Sequence, residues 1–173
     1  MRFLLLFALI TSFHIHAQDI KVEFDKNRDF SKYHTYRFGG SEIITPSDQK
    51  LVEDKVMKKW IQQAVEAELA SKGLRQSDTA DLVVTYVAGS FQQNEVQALG
   101  PLGLQPGSDP NRVWSREFQR GNLVIDLNES NGNLMVWRVN ANYNFAPDRG
   151  ESLIEQIVER GFKKFGGNRK KKK

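Results

Sequence analysis

Residues 121–145 read GNLVIDLNESNGNLMVWRVNANYNF, two alternating runs joined around Asn131-Gly132. Asn-Gly between alternating apolar runs is a strong signal for a β-hairpin, because both residues tolerate the positive φ that its tight turn requires. In the first run Leu123, Ile125 and Leu127 share one face. In the second, Met135, Trp137, Val139, Ala141, Tyr143 and Phe145 point one way, while Arg138, Asn140, Asn142 and Asn144 point the other. Such clean alternation describes an antiparallel sheet with one covered face and one wet face.

The cover must come from helices, and two segments carry the necessary stripe. In the first, Thr45 is placed to cap the helix, with Pro46 at the first helical position and Asp48 near the positive end. Val52, Val56, Trp60 and Ala64 recur every four residues, with Met57, Ile61, Val65 and Leu69 beside them. Gly73 ends the helix, and Leu74 is set for the hydrophobic contact that accompanies a left-handed glycine cap. In the second, Leu153, Ile154, Ile157, Val158, Gly161, Phe162 and Phe165 form an apolar stripe of helical period.

Three further strands are expected. IKVEF (20–24) alternates, HTYRF (34–38) is a short strand broken by Gly39-Gly40, and ADLVVTYVAGSF (80–91) is apolar on both parities, as in a central strand. Residues 92–112 contain three Pro and three Gly without a period and read as a long loop. The order ββαβββα implies an α+β two-layer sandwich: a mostly antiparallel sheet of about five strands with two helices packed on one face.

This domain is expected to occupy residues 18–165. Ahead of it, Met1-Arg2 followed by the apolar run Phe3–Phe13 and a small residue at Ala17 has the order of a secretory signal peptide, cleaved between Ala17 and Gln18. The mature chain then contains no transmembrane segment. Cysteine is absent, so the fold rests on its core without disulfides, and no lipid can be attached through an N-terminal cysteine. The net charge of +4 is concentrated: seven of the last eleven residues are basic. Without them and Arg2, 17 basic residues face 21 acidic ones. A mildly acidic body with a flexible basic tail (166–173) does not present the basic face that nucleic acid requires. The tail can attract anionic lipid headgroups, at about 1 kcal/mol per charge.

Few residues carry chemistry. Asp25, Asn27 and Asp29 occupy the first three ligand positions of a calcium loop and are metal candidates. Position 6 is Phe30 and position 12 is Tyr36, so the glycine and the bidentate glutamate are missing. A structural corner explains the stretch better, with Asp29 capping a helical turn over FSKY. The mature chain retains only His34 among histidines, which leaves no common zinc set and no Ser-His-Asp arrangement. Asp126 is polar within an apolar strand, and period two turns it toward water. No cofactor is expected. The interaction candidates are Val96, Leu99, Leu102 and Leu104 in the 92–112 loop, and Asn140, Asn142 and Asn144 on the open face, a row able to hydrogen-bond a glycan.

Three stretches together resemble the family of bacterial envelope proteins called domain of unknown function 4136: VEFDKNRDFSKYHTYRF, VEAELASKGLRQSDTADLVVTYVAG and GNLVIDLNESNGNLMVWRVNAN. The resemblance covers nearly all of Gln18 to Phe165. Two departures are visible: many relatives are lipoproteins whereas this chain lacks the cysteine, and Phe165 is followed by Gly166-Gly167 where relatives often have Phe-Pro. The resemblance implies an α+β fold and an exported location, and no particular activity. The expected function is therefore a non-enzymatic binding or assembly module of the cell envelope, with an envelope protein as partner. The alternatives are a hydrolase using carboxylates around Asp25, Asp29 or Asp126, and a surface binder of lipid or glycan.

Overall fold

The computed structural model describes residues 19–98 and 113–166, with backbone alone for 94–98 and 113–118. Six strands and two helices follow in the order β1 (Asp19–Phe24), β2 (Thr35–Ile44), α1 (Asp54–Ser71), β3 (Arg75–Gln76), β4 (Leu82–Ala98), β5 (Val113–Glu129), β6 (Met135–Asn144) and α2 (Gly150–Phe162). They make one mixed sheet, ordered β1-β6-β5-β4-β2-β3. The β1–β6, β6–β5 and β5–β4 pairs are antiparallel, and β4–β2 and β2–β3 are parallel.

The expected α+β sandwich is present, with both helices on one face. Met57, Ile61, Val65 and Leu69 of α1 and Ile154, Ile157, Val158 and Phe162 of α2 are buried. They join Leu82, Val84, Leu123, Ile125, Leu127, Trp137 and Val139 from the sheet in one core. At Gly161 the helix touches the sheet: a Cβ there would stand 2.5 Å from Val139 Cγ1. The Gly161 carbonyl also accepts a hydrogen bond from Trp137 Nε1 at 3.2 Å. The α1 terminus matches its sequence signal. Gly73 has φ +81°, its N–H bonds the Ala70 carbonyl at 2.8 Å, and the Leu74 N–H bonds Leu69 at 3.0 Å, with Leu74 buried.

Four features differ from expectation. The Gly39-Gly40 pair does not end β2; the strand continues through it with a register shift between Phe38 and Ser41. Glycine permits a bulge there, and a Cβ on Gly39 would meet Val83 Cγ1 at 2.6 Å. Helix α1 does not begin at Pro46. Thr45 instead accepts the Ser90 N–H on its hydroxyl at 3.0 Å, a 3-10 turn covers Ser47–Gln49, and the helix starts at Asp54. A two-residue strand, β3, adds a sixth member at the β2 edge. Residues 92–98 are not loop but the continuation of β4, paired with a β5 that begins at Val113.

Candidate functional site

The chain from Asp25 to His34 crosses one end of the sheet, carrying the backbone from the β1 edge to β2 on the far side. Its oxygens serve the chain itself. Asp25 Oδ1 accepts the Asn27 N–H at 2.9 Å, and Asp29 Oδ1 accepts from Ser31 N at 2.9 Å and Ser31 Oγ at 2.6 Å. The Asp29 cap expected over FSKY is thus in place on the 3-10 turn Phe30–Lys32. Ser31 holds the Asp29 carboxyl below the usual carboxylate range.

Two carboxylates that the sequence did not single out fix this crossover. Glu129, the last residue of β5, accepts on Oε1 from Arg28 Nη1 at 2.8 Å, Lys32 Nζ at 2.9 Å and the Tyr33 hydroxyl. Asp81 Oδ2 accepts from His34 N at 2.8 Å and from Thr35 N and Oγ1, each at 3.0 Å. Hydrogen bonds from Tyr33 and Lys32 lower the Glu129 pKa, and those from the His34 and Thr35 backbone lower that of Asp81. Beneath them Phe30 meets Trp137 edge-on at 5.5 Å, while Phe24 stacks on the same indole at 4.3 Å. The signal for Glu129 was the basic and aromatic spacing of Arg28, Lys32 and Tyr33, which calls for an acceptor; only the fold supplies its address.

The wet face of the sheet is engaged with itself. Arg138 grips Asp126 through Nε to Oδ1 at 2.7 Å and Nη2 to Oδ2 at 2.6 Å, a cross-strand pair in direct register. Asp126, Asp25 and Asp29 are not brought together into one group. Asn142 accepts from Asn122 Nδ2 at 3.0 Å; Asn140 is half-buried, its Oδ1 without a partner among the described residues, and Asn144 is exposed opposite Arg120. Near these rows Ile44, Val87 and Phe91 expose large apolar side chains.

The other end of the sheet is open. The last β2 pairing is Ile44 with Gly89 and the last β6 pairing is Asn144 with Arg120, yet β4 and β5 pair onward to Ala98 and Val113. At about 3.4 Å per residue the two-stranded ribbon from Gln92 to Ala98 runs roughly 20 Å beyond the sheet. Its root is tied down: Gln49 Oε1 accepts the Gln92 N–H at 2.9 Å, the Gln49 carbonyl accepts from Gln119 Nε2 at 2.8 Å, and Phe145 N bonds Gln119 O at 2.8 Å. Val96 lies in the ribbon opposite Ser115. Leu99, Leu102 and Leu104 lie outside the described residues.

Between the helices runs a groove of about 480 Å³ lined by Trp60, Glu68, Glu151, Glu155 and Glu159, with Glu68 paired to Lys72 at 3.1 Å. Among the described residues no group of three His, Cys, Asp or Glu is placed to hold a metal ion, and no helix is long and apolar enough to cross a membrane.

These features define a two-layer α+β domain, clamped at one end of its sheet and extended as a ribbon at the other. The chain belongs to the family described as Domain of unknown function (DUF4136), whose model matches residues 20–165. No curated protein matches the sequence significantly. Among solved structures, a PDZ domain protein from Parabacteroides distasonis is similar, at 12% identity and TM-score 0.53, over 88% of this chain and 36% of that one. The chain thus spans about a third of that protein's length. The PelC dodecamer from Paraburkholderia phytofirmans matches at 7% identity and TM-score 0.51, over 84% of this chain and 95% of that one. At these identities the likeness is one of fold.

Proposed function

We propose that the protein is an exported, non-enzymatic module of the cell envelope whose working part is the β4–β5 ribbon, where it takes up a partner strand. One observation carries this reading: Gln93–Ala98 and Val113–Phe118 pair with each other and with no third strand among the described residues. A two-stranded ribbon alone in water is marginal, and each open edge presents a row of backbone donors and acceptors ready to receive another strand. Strand addition onto such an edge is a common mode of recognition.

The engagement of the carboxylates favours binding over catalysis. Asp29 is held by Ser31, Asp126 by Arg138, and Asp25 by the Asn27 backbone. A hydrolytic pair needs two carboxyl groups in one pocket with divergent pKa values. That a protein of this fold, PelC, is a dodecamer is in keeping with an assembly role.

The test is photo-crosslinking in intact cells from probes at Gln93 and Val96, with Lys59 on the exposed side of α1 as control. A discrete protein adduct from the ribbon alone is the expected outcome. Equal labelling from Lys59, or none from the ribbon, overturns the proposal.

A further inference from the structure

The geometry points to a second copy of this chain as the partner strand, added head to tail so that the free edge of β5 in one copy lies against the free edge of β4 in the next. This rests on the ribbon being the working part.

Parity and charge separate the ways in which two ribbons can meet. Suppose like edges pair about a two-fold axis. Directly opposed residues then point to the same side of the sheet, so even positions oppose even and odd oppose odd. Along β5 the charges of the free edge are Arg116 and Glu117, of unlike parity, so they never meet. Centring the pairing on either one opposes it to itself. Along the free edge of β4 the charge is Glu95 alone, and no cation is available to oppose it. Like charges placed directly opposite are destabilising, and unlike charges contribute. No two-fold arrangement of these edges therefore offers a favourable charge pair.

Head-to-tail addition does. Within the hairpin Glu95 is already opposite Arg116, Gln93 opposite Phe118 and Gln97 opposite Trp114. A β4 strand from the next copy, antiparallel to β5 and in the same register, repeats this pairing on the outer edge. Strand direction then alternates β4, β5, β4, β5 without inversion, as rotation about an axis along the ribbons requires. Interfaces of this heterologous kind close into rings when the rotation closes, and a closed wall of strands has no edges left. The bodies, six strands wide against the ribbon's two, must then fan outward from the ring.

The chain contains no cysteine, so single cysteines report contacts cleanly. Adjacent positions are used because one of any two neighbouring pairs is the close, non-hydrogen-bonded kind that a disulfide spans. Full-length chains carrying Gln97→Cys and Trp114→Cys are co-expressed, as are chains carrying Val96→Cys and Ser115→Cys; each variant is also purified alone. Covalent dimers are expected from at least one mixture and from no single variant, and the unmodified protein should sediment at several times the chain mass. Dimers from a single variant mean two-fold pairing and overturn the inference. So does an oligomer with no disulfide from either mixture, since it must use another surface. A monomer overturns it as well. If the monomer's ribbon still crosslinks to a different protein in cells, the ribbon remains the working part and only its occupant changes.

Discussion

At one end of the sheet the crossover from β1 to β2 is fastened by Glu129, which takes Arg28, Lys32 and Tyr33 on one oxygen, and by Asp81, which takes two backbone N–H groups and a hydroxyl. At the other end β4 and β5 run on past every neighbouring strand among the described residues. The same antiparallel pair, β4–β5, spans both conditions. Where a third strand or a crossing segment lies against it, aromatic rings and buried aliphatic groups fill the space beneath. Where none of the described residues does, the β4 sequence turns polar and the two strands pair with each other. Stability is therefore concentrated at the clamped end, and the proposed partner surface lies at the open one.

The largest effect is expected at Trp137, which is fully buried and contacts Phe24, Phe30, Phe162 and Phe165. Trp137→Ala should lower the unfolding free energy by about 3–5 kcal/mol, read from urea denaturation. A much smaller loss would mean that the crossover does not anchor the fold. The carboxylate clamp should come next and show itself through pH. Tyr33 and Lys32 depress the folded pKa of Glu129, and the His34 and Thr35 backbone that of Asp81. The stability each contributes is present above the ordinary carboxylate values near ~4 and is lost as pH falls through the depressed folded ones. Glu129→Gln and Asp81→Asn should each lower the urea midpoint at pH 7 and flatten its fall between about pH 5 and 2. An unchanged acid limb in both variants would remove the clamp from the account.

The clamped end was partly legible in the sequence and the open end hardly at all. The Asp29 cap, the Gly73 terminus and the alternation of β6 from Trp137 onward are local signals, carried by neighbouring residues and read without knowing the fold. At the start of β6 a register shift buries Val136 beside Trp137 and breaks the expected pattern at Met135. Glu129 and Asp81 send no local signal: their partners lie 46 to 101 positions away, and no periodicity announces them. Thr45 looked like a cap because its alternative partner, Ser90, is just as remote. The ribbon escaped for another reason. Hydrophobic period marks a strand only when one face meets a core, and QQNEVQA carries no such period. Its strand character lies in pairing with 113–119, and the intervening Gly and Pro mask that relation. The parity of Asn140, Asn142 and Asn144 was read correctly, since the buried face of β6 fixed it.

Two smaller effects sharpen the contrast within the sheet. Tyr143 is buried against Gly121, and its hydroxyl has no hydrogen-bond partner among the described residues; burial raises its pKa. Removing an unsatisfied buried hydroxyl relieves desolvation, so Tyr143→Phe should raise stability by about 1 kcal/mol. A loss of that size would reveal a partner for the hydroxyl. The Asp126–Arg138 pair is bidentate, yet the Arg138 side chain is 39% exposed. A double-mutant cycle should give a coupling of only about 0.5 kcal/mol, discounted for solvent. A coupling several times larger would make the wet face a structural element rather than an open one.

The smallest effect on stability should come from the largest deletion. Gln93 and Phe118 are directly opposed in a hydrogen-bonded pair, since the neighbouring Gln92 N–H and Gln119 carbonyl face outward, so an Asn-Gly turn can join them and replace residues 94–117. The ties through Thr45, Gln49 and Phe145 all lie on the body side of that cut. The unfolding free energy of the monomer should then change by no more than about 0.5 kcal/mol, the range of substitutions away from a core. Self-association, measured by sedimentation, should disappear. If the truncated chain instead loses as much stability as Trp137→Ala, the ribbon belongs to the core that the helices build, and the two ends of the sheet are not different in kind. A folded, monomeric product would show that one strand pair serves two purposes, divided where its third neighbour ends.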